Sequence, residues 1–155
     1  MNKSRNLLFC CATIFLSLCS IFQIPLLSAQ SRLSDKDVEA LMENLRDDSK
    51  NFRPKFESAL KNSPIRRTSQ EKDAKGLVAS FEKQTDAMFK EFKKTKKGDV
   101  AVETTLNNAQ QIDRMIYSMQ FSPQITAQWR KIRTELDNVS NAFGISVHPS
   151  SMRMQ

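Results

Sequence analysis

The stretch ITAQWRKIRTELDNVSNAFG, residues 125–144, carries the only tryptophan of the chain within a row of apolar residues at 125, 129, 132, 136, 139 and 143. Steps of four and three bring each of these back to one side of an α-helix, which turns about 100° per residue. Arg130, Lys131, Glu135 and Asn138 fall between them, outside the stripe. A helix with one apolar seam does not stand alone in water. The seam therefore implies partners, with Trp129 as a core anchor near the turn that precedes this helix.

The partners are found upstream. Ser122-Pro123 opens the tryptophan helix, with proline at the first helical position, where its missing amide is not needed. Before it, Val102, Leu106, Ala109, Ile112, Ile116 and Met119 form a third-helix stripe, which Asp99 is expected to cap. Earlier still, Ala74, Leu77/Val78, Phe81, Thr85, Met88 and Phe92 repeat in the same way. Thr68 and Glu71 stand at the spacing of a capping box at the start of that helix, and Gly98 reads as its C-terminal cap. The first stripe is Val38, Leu41/Met42, Leu45, Ser49, Phe52, Phe56 and Ala59/Leu60, opened by Ser34 with Asp35 and Asp37 in the first turn. Pro54 lies inside it and removes one backbone hydrogen bond. Because Phe52 and Phe56 carry the stripe across the proline, one kinked helix, or a break at 51–53, is expected rather than two elements.

Short connections force consecutive helices antiparallel. The expected fold is all-α, an up-down-up-down four-helix bundle over residues 30–145, with helices at about 34–61, 69–97, 100–121 and 123–143. Residues 146–155 show no periodicity and are expected to form a flexible tail.

The chain begins differently. Lys3 and Arg5 precede an uncharged apolar run from Leu7 to Leu27 that ends in Leu27-Ser28-Ala29, the layout of a secretory signal peptide. Cleavage after Ala29 makes residues 1–29 a leader. The alternative is an uncleaved anchor, the one route by which this chain would be tied into a membrane apart from weak electrostatic contact. Cys10, Cys11 and Cys19, the only cysteines, all lie in the leader. The mature chain then holds no thiol and no disulfide, and burial alone must hold it together. The expected location is periplasmic or extracellular.

All 17 acids and all but two of the 24 bases lie beyond the leader, so the remainder is mildly basic. That charge falls short of a nucleic-acid footprint, and export makes nucleic acid an unsuitable partner. Cofactor and metal chemistry find few carriers. The single histidine, His148, is in the tail, and the Glu-x-x-His pairs of bundle di-metal centres are missing. Met115 and Met119, at i and i+4, suit a soft cation, but methionines on a helix face usually fill gaps in a core. No Cys–His or Ser–His arrangement and no glycine-rich phosphate loop is present, so no catalytic residue, metal ligand or cofactor is assigned.

Two clusters remain. Asp113 sits within the apolar face of the third helix. If helices three and four fold back at Phe121-Ser122, position 113 falls near position 130. Asp113 is then expected to meet Arg130 or the indole N–H of Trp129. With Ser49 and Thr85 on the first two stripes, this suggests a mid-bundle polar layer, serving either to fix helix register or to line a small-ligand pocket. Lys93, Lys94, Lys96 and Lys97 crowd the end of the second helix, either as a contact for an anionic partner or as a solvated end offsetting the helix dipole.

The segments GDVAVETTLNNAQQIDRMIYSM and SPQITAQWRKIRTELDNVSNAF resemble a group of exported, all-helical bacterial proteins. The matching residues are Asp99, Val100, Leu106, Ala109, Ile112 and Asp113, then Trp129, Ile132, Arg133, Glu135, Leu136, Asp137, Ala142 and Phe143. Phe143 stands where the pattern has tyrosine. The resemblance spans Leu41 to Ile145 and implies a secreted helical domain with no established activity. The expected function is that of an exported, non-catalytic interaction or adaptor protein of the cell envelope, monomeric or dimeric, whose partner is a protein or envelope component. The alternative is a carrier of a small ligand or soft metal in the bundle core.

Overall fold

A computed structural model describes residues 33–145. The expected leader and tail lie outside these residues. Four helices make up the fold: α1 (Asp35–Leu60), α2 (Ser69–Thr95), α3 (Asp99–Met119) and α4 (Pro123–Ala142). Each packs on the next in the chain, and α1 packs on α4, closing a ring of four antiparallel neighbours. The architecture is the all-α four-helix bundle that the stripes imply.

The buried residues follow the four–three spacing. On α1 they are Val38, Met42, Leu45, Ser49, Phe52, Phe56 and Leu60. On α2 they include Val78, Phe81, Thr85, Met88 and Phe92, and on α4 Ile125, Trp129, Ile132, Leu136 and Val139. Burying one such Leu, Ile or Phe contributes about 1.5–3 kcal/mol relative to exposure. Phe56 has no exposed surface, so Phe56→Ala would remove both that term and the packing around it, about 3–5 kcal/mol.

Pro54 lies on the exposed side of α1, and the helix continues through it unbroken. The missing amide points to water rather than into the core, and Phe52 and Phe56 on the buried side hold the turn in place. Ser34 and Asp37 form a reciprocal capping box on α1.

Three caps differ from expectation. On α2, Thr68 Oγ1 accepts from the Glu71 amide, but the Glu71 carboxylate accepts from the amide of Arg67, one residue earlier. Thr68's own amide is already given to the carbonyl of Ile65. Helix α2 ends in a left-handed Lys96 (φ 57°), not at Gly98. Gly98 instead precedes α3 as its N-cap, which leaves Asp99 as the first helical residue rather than the cap. Burial explains the glycine: a Cβ there would stand 3.2 Å from Phe143 Cζ and 3.4 Å from Met42 Cε.

Candidate functional site

All four helices meet at Trp129. The side chain, 1% exposed, lies 5.6 Å from the ring of Phe52 on α1 and 5.2 Å, edge-on, from that of Phe81 on α2. Its indole N–H donates to Asp113 Oδ1 on α3 at 2.7 Å. Phe52 continues to Phe56 at 5.5 Å, and Phe56 to Phe121 at 5.0 Å. The tryptophan satisfies its one polar atom without leaving the core, as a buried indole must.

The second partner of Asp113 is Arg133, with Nε 3.4 Å from Oδ2, and not Arg130, which is exposed. The helix period gives the reason. Arg130 is one residue on from Trp129, about 100° around α4, whereas Arg133, four residues on, returns to within about 40° of it. Arg133 is 8% exposed and also lies 3.5 Å from Asp137. Both contacts are ion pairs without aligned hydrogen bonds, and Arg133 Nη1 has no hydrogen-bond partner among the described residues. Burial pushes the Asp137 carboxyl up, Arg133 pulls it down less strongly, and Asp113 adds to the rise.

Ser49 and Thr85 are fully buried on α1 and α2, but neither joins this cluster. Ser49 Oγ donates to the Leu45 carbonyl at 2.6 Å, and Thr85 Oγ1 to that of Glu82 at 2.9 Å. The expected four-residue polar layer is therefore two self-satisfied hydroxyls and a separate Trp129–Asp113–Arg133 cluster. A further polar link, from Asn108 Nδ2 to Gln84 Oε1 at 2.9 Å, joins α3 to α2.

The lysine end of α2 is divided. Lys93 and Lys96 reach back to Glu39 of α1, at 3.4 and 3.2 Å, and lie over the rings of Phe89 and Phe92. The hydrogen bond from Lys96, helped by Lys93, holds the Glu39 carboxyl below its ordinary value. Lys94 and Lys97 have no ion pair among the described residues and point to water. Half of the presumed anion contact is thus engaged within the fold.

Two features become visible only once the helices are assembled. A groove of about 620 Å³ runs between α2 and α3 beside the α1–α2 connection. Ile65, Ala74, Leu77, Met115 and Met119 line it, with Gln70, Asp73 and Gln111 also on its walls. The two methionines singled out by spacing therefore share one surface groove. On the other side of the bundle, Lys131 of α4 touches Asp48 of α1 and lies 3.5 Å from Glu135, one turn further along α4. Asp48 and Lys131 border a cavity of about 180 Å³ lined also by Phe52 and Ile132.

Among the described residues no group of three or more His, Cys, Asp or Glu side chains is placed to hold a metal, and no helix is long and apolar enough to cross a membrane. His148, Met152 and Met154, the other residues of a type to hold a soft cation, lie outside those residues. No protein-family model, curated protein or solved structure matches the chain.

Proposed function

We propose that the protein is an exported, non-catalytic interaction protein of the cell envelope, which engages its partner through the α2–α3 groove. The observation that carries this reading is the lining of that groove. Methionine adapts its shape to a partner at little cost, and an apolar floor with polar walls is the usual make-up of a binding cleft. Met115, Met119, Leu77 and Ile65 form such a floor, within reach of Gln70 and Gln111. The filled bundle axis at Trp129 counts against a carrier that holds its cargo in the core. The leader-like first 29 residues support export.

Photo-crosslinking in the native host tests the binding site. A photoreactive side chain at Gln111, on the groove wall, is compared with one at Lys50, exposed on α1. The reading expects a discrete envelope adduct at 111 that Met115→Glu abolishes, and none at 50. The same adducts at both positions would refute it. Mass spectrometry of the exported product tests location separately: the chain should begin at or near Gln30.

A further inference from the structure

We propose that Asp48 and Glu135 form a proton-dependent clasp between α1 and α4, closed while the two carboxyls share one proton and loosened when that proton leaves.

The geometry points to a missing donor. Lys131 Nζ touches Asp48 Oδ2 and lies 3.5 Å from Glu135 Oε1. Glu135 Oε2, by contrast, is buried and has no hydrogen-bond partner among the described residues. Two carboxylates cannot satisfy each other, because both only accept. A proton on Glu135 supplies the donor that is missing between them. It turns a repulsive contact into an O–H···O⁻ bond, of the short, charge-assisted kind. Lys131 then neutralises the charge that remains on Asp48.

The charged groups that act most strongly on the pair belong to the two helices it joins: Asp48 and Lys55 on α1, Lys131 and Glu135 on α4. The electrostatic balance agrees with the sharing. Burial first, then the bond and the charge of Asp48, push the Glu135 carboxyl up to about 7, against the weaker pull of Lys131. Burial also raises Asp48, but the bonds from Lys131 and from Glu135 outweigh it and hold Asp48 below its ordinary value. One carboxyl is thus acid and the other base near neutrality.

The sign of the linkage follows. Glu135 binds its proton more tightly folded than unfolded, so its stabilising contribution is complete below about 4.5 and is lost as pH rises through about 7. Asp48 has the opposite sign, and its contribution is lost only on strong acidification. The clasp is therefore firmest in mild acid and loosens on approach to neutrality. Loosening frees the seam over Phe52 and Ile132, next to Trp129.

Denaturant unfolding of the full chain between pH 5.5 and 7.5 tests the clasp, read by Trp129 fluorescence. Glu135→Gln keeps the shape of the protonated acid but cannot ionise. The unfolding constant of the wild type should rise about tenfold more across this range than that of E135Q, a figure reduced for partial exposure of the glutamate. A free imidazole titrates in the same window, so wild type and variants are compared in an H148Q background, which lacks the only histidine. Carbon-13 titration of the Glu135 carboxyl is the direct reading, expected near 7, with the midpoint moving down in Asp48→Asn. A Glu135 midpoint near 4.5, or equal pH slopes in wild type and E135Q, would overturn the proposal. So would a midpoint unmoved by D48N, since that describes a lone buried acid and not a pair.

Discussion

Removing the carboxylate at position 113 should be among the most damaging single changes in this bundle. Asp113 accepts the indole N–H of Trp129 at 2.7 Å and faces Arg133 Nε at 3.4 Å, and all three side chains are largely withdrawn from water. In Asp113→Ala the indole N–H is left unpaired in an apolar core, and a bond to a charged acceptor is worth about 1.5–3 kcal/mol. Arg133 also loses the better shielded of its two acidic partners. Breaking one side of a buried ion pair costs about 3–5 kcal/mol. Here Asp137, still 3.5 Å away, offsets part of that. The two losses share one residue and do not add in full, so the net expectation is about 3–4 kcal/mol. A domain of this size has roughly 6–17 kcal/mol in total, and the melting temperature should fall by about 10–20 °C.

Asp113→Asn separates the two roles. Its amide oxygen can still accept from Trp129, but the charge facing Arg133 is gone, so about 1–2 kcal/mol is expected. Urea unfolding followed by the single tryptophan and by far-UV circular dichroism gives both values. Trp129 emission should move to longer wavelength in D113A, because the unpaired N–H admits water. The replacement Asp113→Leu with Arg133→Met should cost less than D113A, since a buried ion pair exchanged for apolar groups of similar size is often neutral. A loss below about 1 kcal/mol in D113A, with unchanged emission, would show that the cluster does not stabilise the core in this way.

Three further changes probe the frame and the lysine end. Pro54→Ala restores the α1 hydrogen bond to the Lys50 carbonyl on an exposed face, and should raise stability by about 1–2 kcal/mol after allowing for the stiffer unfolded chain; a fall in melting temperature would mean that the proline itself is needed to seat Phe52 and Phe56. Gly98→Ala pushes a methyl group to within 3.2 Å of the Phe143 ring; calorimetry should show a loss of about 1 kcal/mol, smaller when Phe143 is also changed to Leu. Glu39→Gln releases Lys93 and Lys96 from their shared acid; stability should barely change, while binding to phosphatidylglycerol vesicles strengthens and becomes more salt-sensitive. Unchanged vesicle binding would remove the lysine end from consideration as a contact.

The bundle could be read from the sequence because its information is local. A four–three stripe needs only one helix to be visible, and most of the buried residues are those the stripes pick out; Phe89, Thr105, Asn108, Arg133 and Ser140 are buried beside the stripes rather than on them. Caps were harder to read where chemistry and packing disagree. Glycine is the natural residue for a left-handed helix end, yet Lys96 takes that conformation. The closeness of Phe143 and Met42 claims Gly98 for a different reason, and those contacts come from α4 and α1, far away in the chain. Asp113 was conspicuous as an acid in an apolar stripe. The expected bond from the Trp129 indole is present; the expected contact with Arg130 is not, because counting back from the turn fixes height along α4 but not the direction around it. The spacing from Trp129 settles that direction, and it selects Arg133. Asp48, Lys131 and Glu135 gave no warning at all. Each reads as an ordinary polar residue on an outer face, and only the relative height of α1 and α4 brings them together.

The two polar contacts of α4 divide the work of holding it. Toward α3, Trp129 and Arg133 meet Asp113 through an indole N–H that does not titrate and a guanidinium that is always charged. Toward α1, the clasp proposed between Glu135 and Asp48 needs a proton. If the clasp loosens near neutrality, α4 should therefore part from α1 before it parts from α3, pivoting on the Trp129–Asp113 bond. Hydrogen exchange at pH 5.5 and 7.5 can see this once rates are corrected for intrinsic pH dependence. Protection should fall with pH at residues 45–52 and 128–136 and stay constant at 106–116. Equal losses on both sides of α4 would mean that the bundle opens as a whole and that the Asp113 cluster does not act as the pivot.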